Sequence, residues 1–384
     1  MSGDWRERSL AELSDNFDGI RVPVKEADRR VGPYPYYGAS GIVDHVDNYL
    51  FDGEYLLVAE DGENLRTRNT PVAFLARGKF WVNNHAHIVR GNSEADTRFL
   101  MYALSAADIS GYLTGSTMPK LTQGNMNRIP LLAPPLPEQR AIAHILGTLD
   151  DKIELNRQMN ETLESIAQTI FKSWFVDGDA NGESGKVGDI VMLSRETINP
   201  REFPQETFDH YSIPAFDEEH LPKAETGEQI QSNKFIVPMG SVLLSKLNPR
   251  IPRVWLPNVS QTRRSFCSTE FLVAIPKPGI SREYVYGLFK PPSFLDLFAT
   301  LITGTSGSHQ RVKPEYLLAM DVDVPAKERI ARYTGLVKPL HDRVALNLEE
   351  SRTFAALRDA LLPKLISGEL RVKNPERIVA GASV

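Results

Sequence analysis

At 384 residues, with 41% hydrophobic and 24% charged side chains, the chain has the composition of a folded globular protein and room for two cores. It holds no unbroken apolar run of the roughly 18–20 residues a membrane span needs, and its first residues, MSGDWRE, lack the apolar run of a signal peptide. One cysteine, Cys267, excludes an internal disulfide framework and suits a reducing compartment, so the expectation is a soluble, cytoplasmic protein with no membrane contact. The net charge of −5 weighs against nucleic-acid binding, which makes the distribution of charge more informative than its sum.

Residues 1–135 read as a first mixed α/β domain. Short β-type runs, Tyr55 to Ala59, Pro71 to Leu75 and His87 to Arg90, are broken by Gly, Pro and Asn, and Thr97 to Ser105 has a helical pattern. From Asn64 to Ser93 there is no Asp or Glu, yet Arg66, Arg68, Arg77, Lys79 and Arg90 lie there. A second acid-free stretch carries Lys120 and Arg128. His85 and His87 would share one side of a strand, as metal ligands sometimes do, but no Cys or carboxylate follows within a few residues. A hydrogen-bonded strand histidine is the simpler reading, and no metal site is expected. Tyr34, Tyr36 and Tyr37 read as packing rather than as a stacking platform.

Residues 136–177 are expected to form a long helix. From Pro137, apolar residues step by four and three through Ile142, Leu146, Leu149, Ile153, Leu163, Ala167, Ile170 and Trp174, with Asn156 and Asn160 filling the gap. Gly178 to Gly188 is small and polar and reads as a linker. Its Gly-Lys pair is no phosphate loop, because Ala180 and Val187 stand where that motif needs Gly and Ser or Thr. A second mixed domain, residues 178–324, includes a β-type run from Phe271 to Ile275 and a helix from Arg282 to Phe289. Gly240 to Thr269 is again free of acid and carries Lys246, Arg250, Arg253, Arg263 and Arg264. A further acid-free stretch carries His309, Arg311 and Lys313. Residues 325–370 form the second expected long helix, with Pro339 bending or breaking it, and 371–384 a tail.

The two halves share one plan. Adding 191 to the first helical stripe gives Tyr333, Val337, Leu340, Val344, Asn347, Ser351, Phe354, Arg358, Leu361 and Leu365. Asn156 and Asn347 then fall at the same step, each after a leucine. Such a stripe predicts helix-to-helix packing with a seam of Leu149, Ile153, Asn156, Leu163, Leu340, Val344, Asn347 and Phe354, in which a buried Asn fixes register. Upstream, Leu113-Thr114-Gly115-Ser116 matches Ile302-Thr303-Gly304-Thr305, and Gly53 to Leu57 matches Gly240 to Leu244 at an offset of 187. The fold expected is α+β: two mixed domains in a pseudo-two-fold repeat, separated by two long helices in an antiparallel coiled coil.

One basic run is ordinarily a solvated face. Two at equivalent points of a repeat, in an acidic protein, point to a functional face, with Arg and Lys on phosphates and Arg, Asn or Gln on base edges. The candidate DNA contacts are Arg66, Arg68, Arg77, Lys79, Lys120, Lys246, Arg250, Arg253, Arg263, Arg264 and Arg311. Loop amides at Asn83, Asn84, Gln123, Asn125, Asn127, Asn248, Gln261 and Gln310 lie near them. No Asn-Pro-Pro-aromatic or Asp-Pro-Pro-aromatic motif, S-adenosylmethionine loop, Glu-x-Lys nuclease cluster or Gly-x-Ser-x-Gly elbow is present.

These residues resemble one family. Gly115-Ser116-Thr117, Lys120-Leu121 and Met126-Asn127-Arg128-Ile129-Pro130, followed by Pro134-Pro135-Leu136-Pro137-Glu138-Gln139-Arg140-Ala141-Ile142, resemble the junction of recognition domain and helical spacer in Type I restriction–modification specificity subunits. Leu361 to Leu370 (LLPKLISGEL) resembles the close of the second spacer. Glu60-Asp61-Gly62 and Trp81 to His85 resemble segments within the recognition domains. In the second half, Val324 to Arg329 keeps only part of the Pro-Glu-Gln pattern, with Arg329 matched to Arg140. The resemblance implies a subunit without catalysis of its own and with no cofactor. Its two target-recognition domains would read a bipartite, gapped double-stranded DNA target, spaced by the helices. It also implies partners: two methyltransferase (modification) subunits using S-adenosylmethionine on adenine, and restriction (helicase–nuclease) subunits using ATP and Mg. A helix from Pro137 to Phe175 would be roughly 58 Å long, more than one DNA turn. Two other classes remain: a stand-alone DNA adenine methyltransferase with an unrecognised active site, and a coiled-coil adaptor.

Overall fold

The computed structural model describes residues 5–178, 182–303 and 310–380. The chain divides into two compact units, Met1–Glu154 with Arg352–Val384, and Leu155–Ser351. Each holds one mixed α/β domain and its share of both long helices. Parts of both long helices pack into the core of each unit.

In the first unit a six-stranded sheet runs in the order Ser14–Asn16, Ala86–Gly91, Phe51–Ala59, Ala73–Val82, Tyr34–Gly38, Gly41–Val46. Alternation along Phe51–Ala59 sends Leu56 and Val58 into a core with Phe99, Leu100, Ile142 and Leu146, where the helix Thr97–Ala106 and the first long helix cover the sheet. Leu57 faces the other way, into a cluster with Phe51, Phe80, Val82 and Ile88. Asp96 starts Thr97–Ala106 by accepting hydrogen bonds from the Arg98 and Phe99 amides.

The second unit repeats this plan. The order Val191–Ser194, Phe271–Pro276, Val242–Ser245, Val254–Trp255 matches the first four strands above, and Arg282–Phe289, capped by Ser281, matches Thr97–Ala106. A five-stranded sheet runs Thr197–Ile198, Lys234–Ile236, Ser265–Cys267, Thr207–Tyr211, Lys223–Thr226. Its pair Thr207–Tyr211 and Lys223–Thr226, with the parallel pairing to Ser265–Cys267, matches Tyr34–Gly38, Gly41–Val46 and the end of Ala73–Val82. The offset of 187 proves one residue too long. Leu243 packs on Tyr211 and Trp255 while Val242 and Leu244 face the long helices, so Leu56 corresponds to Val242, an offset of 186. A one-residue slip in a strand exchanges its faces. Gly53 and Gly240 mislead the alignment: Gly53 lies within its strand, paired with Gly78, and Gly240 lies in the turn before its strand.

Glu183–Lys186, expected as linker, is a strand paired with Asp321–Val324, just as Arg6–Ser9 pairs with Pro130–Ala133. Small polar residues concealed the buried Val187 and Ile190 that follow. The part of that segment at Asp179, Ala180 and Asn181 lies outside the described residues, as do Gly304, Thr305 and His309.

The long helices are Leu136–Phe175 and Lys327–Ile366, and they pack together in antiparallel sense. In the first unit Arg358 reaches Asp150 at 2.8 Å, and Arg371, just beyond the second helix, reaches Glu138 at 2.8 Å. In the second unit Asn347 meets Asn160, and Tyr333 packs against Phe171 and Phe175. Leu149, Ile153, Leu163, Leu340, Val344 and Phe354 are half-buried, while Asn156 and Asn347 are buried. The second helix continues through Pro339 instead of breaking. Pro339 and Gly335 both lie on the exposed face, where the Gly335 carbonyl is open to water. Arg329 corresponds to Glu138 rather than to Arg140: the helices start at Leu136 and Lys327, 191 apart, and Arg329 docks on the end of the first helix at the Trp174 carbonyl.

Candidate nucleic-acid interface

In each unit the two acid-free stretches meet at one backbone junction. In the first, the Gly62 amide donates to the Pro119 carbonyl (3.1 Å), the Leu121 amide to the Glu60 carbonyl (2.8 Å) and the Glu60 amide to the His85 carbonyl (2.9 Å). In the second, the Asn248 amide donates to the Gln310 carbonyl (3.0 Å), the Val312 amide to the Lys246 carbonyl (3.1 Å) and the Lys246 amide to the Glu270 carbonyl (2.9 Å). Asp61 bridges to Lys120, and Leu247 to Arg311. Gly62 and Asn248 occupy the same place, both at positive φ, which Asn tolerates better than most residues. Lys120 and Arg311 are thus equivalent, as are Glu60 and Lys246, and His85 and Glu270.

The shared frame carries different charges. In the first unit Lys120 pairs with Glu60 (3.1 Å) and His85 with Asp61 (2.8 Å). In the second, Arg311 forms a two-pronged pair with Glu270 (2.9 Å for both contacts), and Lys246 stands where Glu60 stands. Among the described residues Lys246 and Arg250 have no side-chain hydrogen-bond or ion-pair partner, and Arg250 is exposed. Arg66 joins the first junction by donating to the Gly115 carbonyl (2.9 Å).

Other candidates stand elsewhere. Arg68 donates to the Ser105 and Ala107 carbonyls and so closes the end of Thr97–Ala106. Arg77 and Lys79 lie toward the far end of Ala73–Val82, roughly 20 Å along the strand from the junction, paired with Glu54 and laid over the Tyr49 ring. Arg253 is turned inward: it is 8% exposed and grips both Asp217 oxygens at 2.6 and 2.7 Å. Arg263 pairs with Asp209, and Arg264 with Glu206 over the Phe203 ring, both arginines standing just before the strand Ser265–Cys267. An acid-free stretch of sequence is therefore not one patch, because acids from other segments come to meet it.

Beneath the first junction lies an ion cluster that sequence reading missed. His87, buried, places Nδ1 2.5 Å from Asp18 and Nε2 2.7 Å from the Leu121 carbonyl, so both ring nitrogens face acceptors. Arg21 adds bonds to Glu60 and the Ala86 carbonyl. Burial raises the Asp18 and Glu60 carboxyls, but His87 and Arg21 at Asp18, and Arg21 and Lys120 at Glu60, outweigh it and hold both below their ordinary values. Asp18 is 69 residues from His87, so no local motif could show the pair. Among the described residues no cluster of His, Cys, Asp and Glu is suited to a metal, and no helix is long and apolar enough to cross a membrane.

Residues 2–165 match the family described as Type I restriction modification DNA specificity domain. This part of the chain is similar to that domain. A Haemophilus influenzae protein named as a type I restriction enzyme specificity subunit is 38% identical over 146 residues, 38% of this chain and 37% of that protein. The Type I restriction enzyme MjaIX specificity subunit of Methanocaldococcus jannaschii is 23% identical over 97% of this chain and 94% of its own length. The crystal structure of the S subunit of a Type I restriction–modification system from M. genitalium superposes with a TM-score of 0.67, covering 95% of this chain and 97% of that one, at 15% identity. The fold is that of a specificity subunit.

Proposed function

We propose that the chain is the DNA sequence-specificity subunit of a Type I restriction–modification complex, non-catalytic by itself. Each domain would read one half of a gapped target in double-stranded DNA. The observation that carries this reading is the junction built twice: one backbone frame, two different sets of side chains, and cationic loops on both. A repeated frame with exchanged charges suits two readers of two different half-sites. The first reader would use Arg66 and Lys120, the second Lys246, Arg250 and the exposed edge of Arg311.

The partners follow from the same reading. Methyltransferase subunits, two of them, would bind the long helices, whose Leu155, Ile166, Leu336, Leu346 and Leu357 are exposed. They would supply S-adenosylmethionine chemistry on adenine, and restriction subunits would supply ATP- and Mg-dependent cleavage in the cytoplasm. This chain would hold none of those cofactors. Co-expression with a methyltransferase subunit, followed by genome-wide mapping of methylated adenine, tests the assignment. A single split motif with a fixed gap is expected. Methyl transfer by the purified chain alone, or an ungapped motif, would overturn it.

A further inference from the structure

In both units a tyrosine of the domain's helix is bound to a carboxylate of the first long helix. Tyr102 donates to Asp150 Oδ2 at 2.5 Å, and Arg358 holds the other Asp150 oxygen at 2.8 Å. Tyr286 donates to Glu164, 3.1 and 3.0 Å from its two oxygens, with Lys290 3.7 Å from the same carboxylate. A glycine lies beside each tie, and at Gly287 it allows close approach. A Cβ at Gly147 would stand 3.4 Å from Arg98 and 3.9 Å from the Tyr102 hydroxyl; one at Gly287 would stand 2.4 Å from the Phe171 ring.

The two ties are not copies. With the offset of 185 that relates Thr97–Ala106 to Arg282–Phe289, Tyr102 corresponds to Gly287, and Tyr286 sits one place earlier. Asp150 corresponds to His341, whose ring meets Tyr286 edge-on at 5.3 Å. Different residues thus arrive at the same connection. Each tyrosine also packs in an apolar cluster: Tyr102 in the one with Leu100, Ala103 and Leu146, Tyr286 in the one with Val285, Phe289 and Val337. Apolar contact holds surfaces together without fixing rotation, whereas a hydrogen bond to a carboxylate is directional.

We infer that Tyr102 and Tyr286 are positioning residues, each fixing the angle at which its recognition domain stands on the helix pair and thereby making the complex strict about gap length. The inference rests on the specificity-subunit reading. Neither hydroxyl belongs to the junctions that would meet bases, so half-site preference should not depend on it.

The test maps methylated adenine in cells that co-express the methyltransferase subunit with the full chain, its Tyr102→Phe or Tyr286→Phe variant, or both changes together. Tyr211→Phe is the control, since that hydroxyl bonds the Asn258 carbonyl and no long-helix carboxylate. Both lock variants should keep both half-sites yet methylate sites whose gap is one base pair longer or shorter about ten-fold more than wild type, as the loss of one charge-assisted bond allows. Tyr211→Phe should lower the melting temperature and leave the gap strict. Lock variants as strict as wild type, or altered in half-site sequence, overturn the inference. A wild-type chain that directs no sequence-specific methylation fails the functional assignment instead, a separate outcome.

Discussion

Asn156 and Asn347 face each other across the helix pair. Asn156 Nδ2 donates to the Asn347 backbone carbonyl (3.2 Å) and Ser351 Oγ (3.3 Å), while Asn347 Nδ2 donates to Asn160 Oδ1 (2.8 Å). Both side chains are buried, and the Asn347 Oδ1 has no partner among the described residues. An apolar pair would pack this seam without an unsatisfied oxygen, so what the asparagines contribute is register. The double variant Asn156→Leu/Asn347→Leu should therefore raise the thermal unfolding midpoint, by the equivalent of about 1–2 kcal/mol. A fall in the midpoint would show that the amides hold the seam together rather than align it.

Arg250 and Arg253 are three residues apart and have different roles. Arg253 is locked onto Asp217, whose carboxyl it holds below the ordinary value. Arg253→Ala should destabilise the chain by about 1–3 kcal/mol, the Asp217 side being half-exposed and open to water. Arg250→Ala should leave the melting curve within about 0.5 kcal/mol. It should weaken DNA binding by the complex and reduce the salt dependence by about one phosphate contact. Equal effects of the two changes on folding and binding would refute the division.

Two glycines give opposite expectations for the same substitution. A Cβ at Gly287 would lie 2.4 Å from the Phe171 ring and 2.8 Å from the Tyr333 hydroxyl, both in a closed core. Gly287→Ala should cost about 1–3 kcal/mol in spite of better helix propensity. At Gly335, exposed inside the second long helix, a Cβ meets nothing within 4 Å, so Gly335→Ala should gain up to about 1 kcal/mol. Urea titration of both variants separates the cases, and a stabilised Gly287→Ala would mean that the domain's helix does not press on Phe171.

Acid sensitivity follows from carboxylates held low. Besides Asp18, Glu60 and Asp217, Glu138 is raised by burial but lowered further by Arg371 and Trp5. Folded-state values below the unfolded ones, near 4, mean that the unfolded chain binds more protons as pH falls. The stabilisation these carboxylates supply is then full above about pH 5 and declines below it as they protonate in the folded state. Burial holds His210, His220 and His341 below their ordinary value, so melting temperatures should begin to slip below about pH 7 and drop more steeply below about pH 5. Asp18→Asn should lose stability at pH 7 and show a shallower acid decline; an unchanged acid limb would remove the His87 cluster as its source.

Periodicity made the long helices and their seam legible, because a stripe sustained over many turns has few alternative explanations. The asparagine at the same step of both stripes pointed to the place where the helices meet. Strand equivalence was off by one, since Gly53 and Gly240 resemble each other in sequence but one is in a strand and the other in a turn. The charge patches were legible only as composition. Arg253 cannot be told from Arg250 without Asp217, 36 residues upstream, and the tyrosine ties join residues 48 and 122 apart.

If the helix pair sets the gap, its length should be the variable that changes it. A heptad preserves the phase of the stripe, so seven residues inserted beside Asn156, matched by seven beside Ser351 opposite it, should extend the seam without turning it. The added length is about 10 Å, or about three base pairs of duplex. Methylation mapping should then return the same two half-sites separated by a gap about three base pairs longer. Seven residues in one helix alone should abolish the motif, because the seam can no longer close. A gap unchanged by the matched pair, or half-sites altered by it, would mean that spacing is set elsewhere and that the helices serve only to hold the partner subunits.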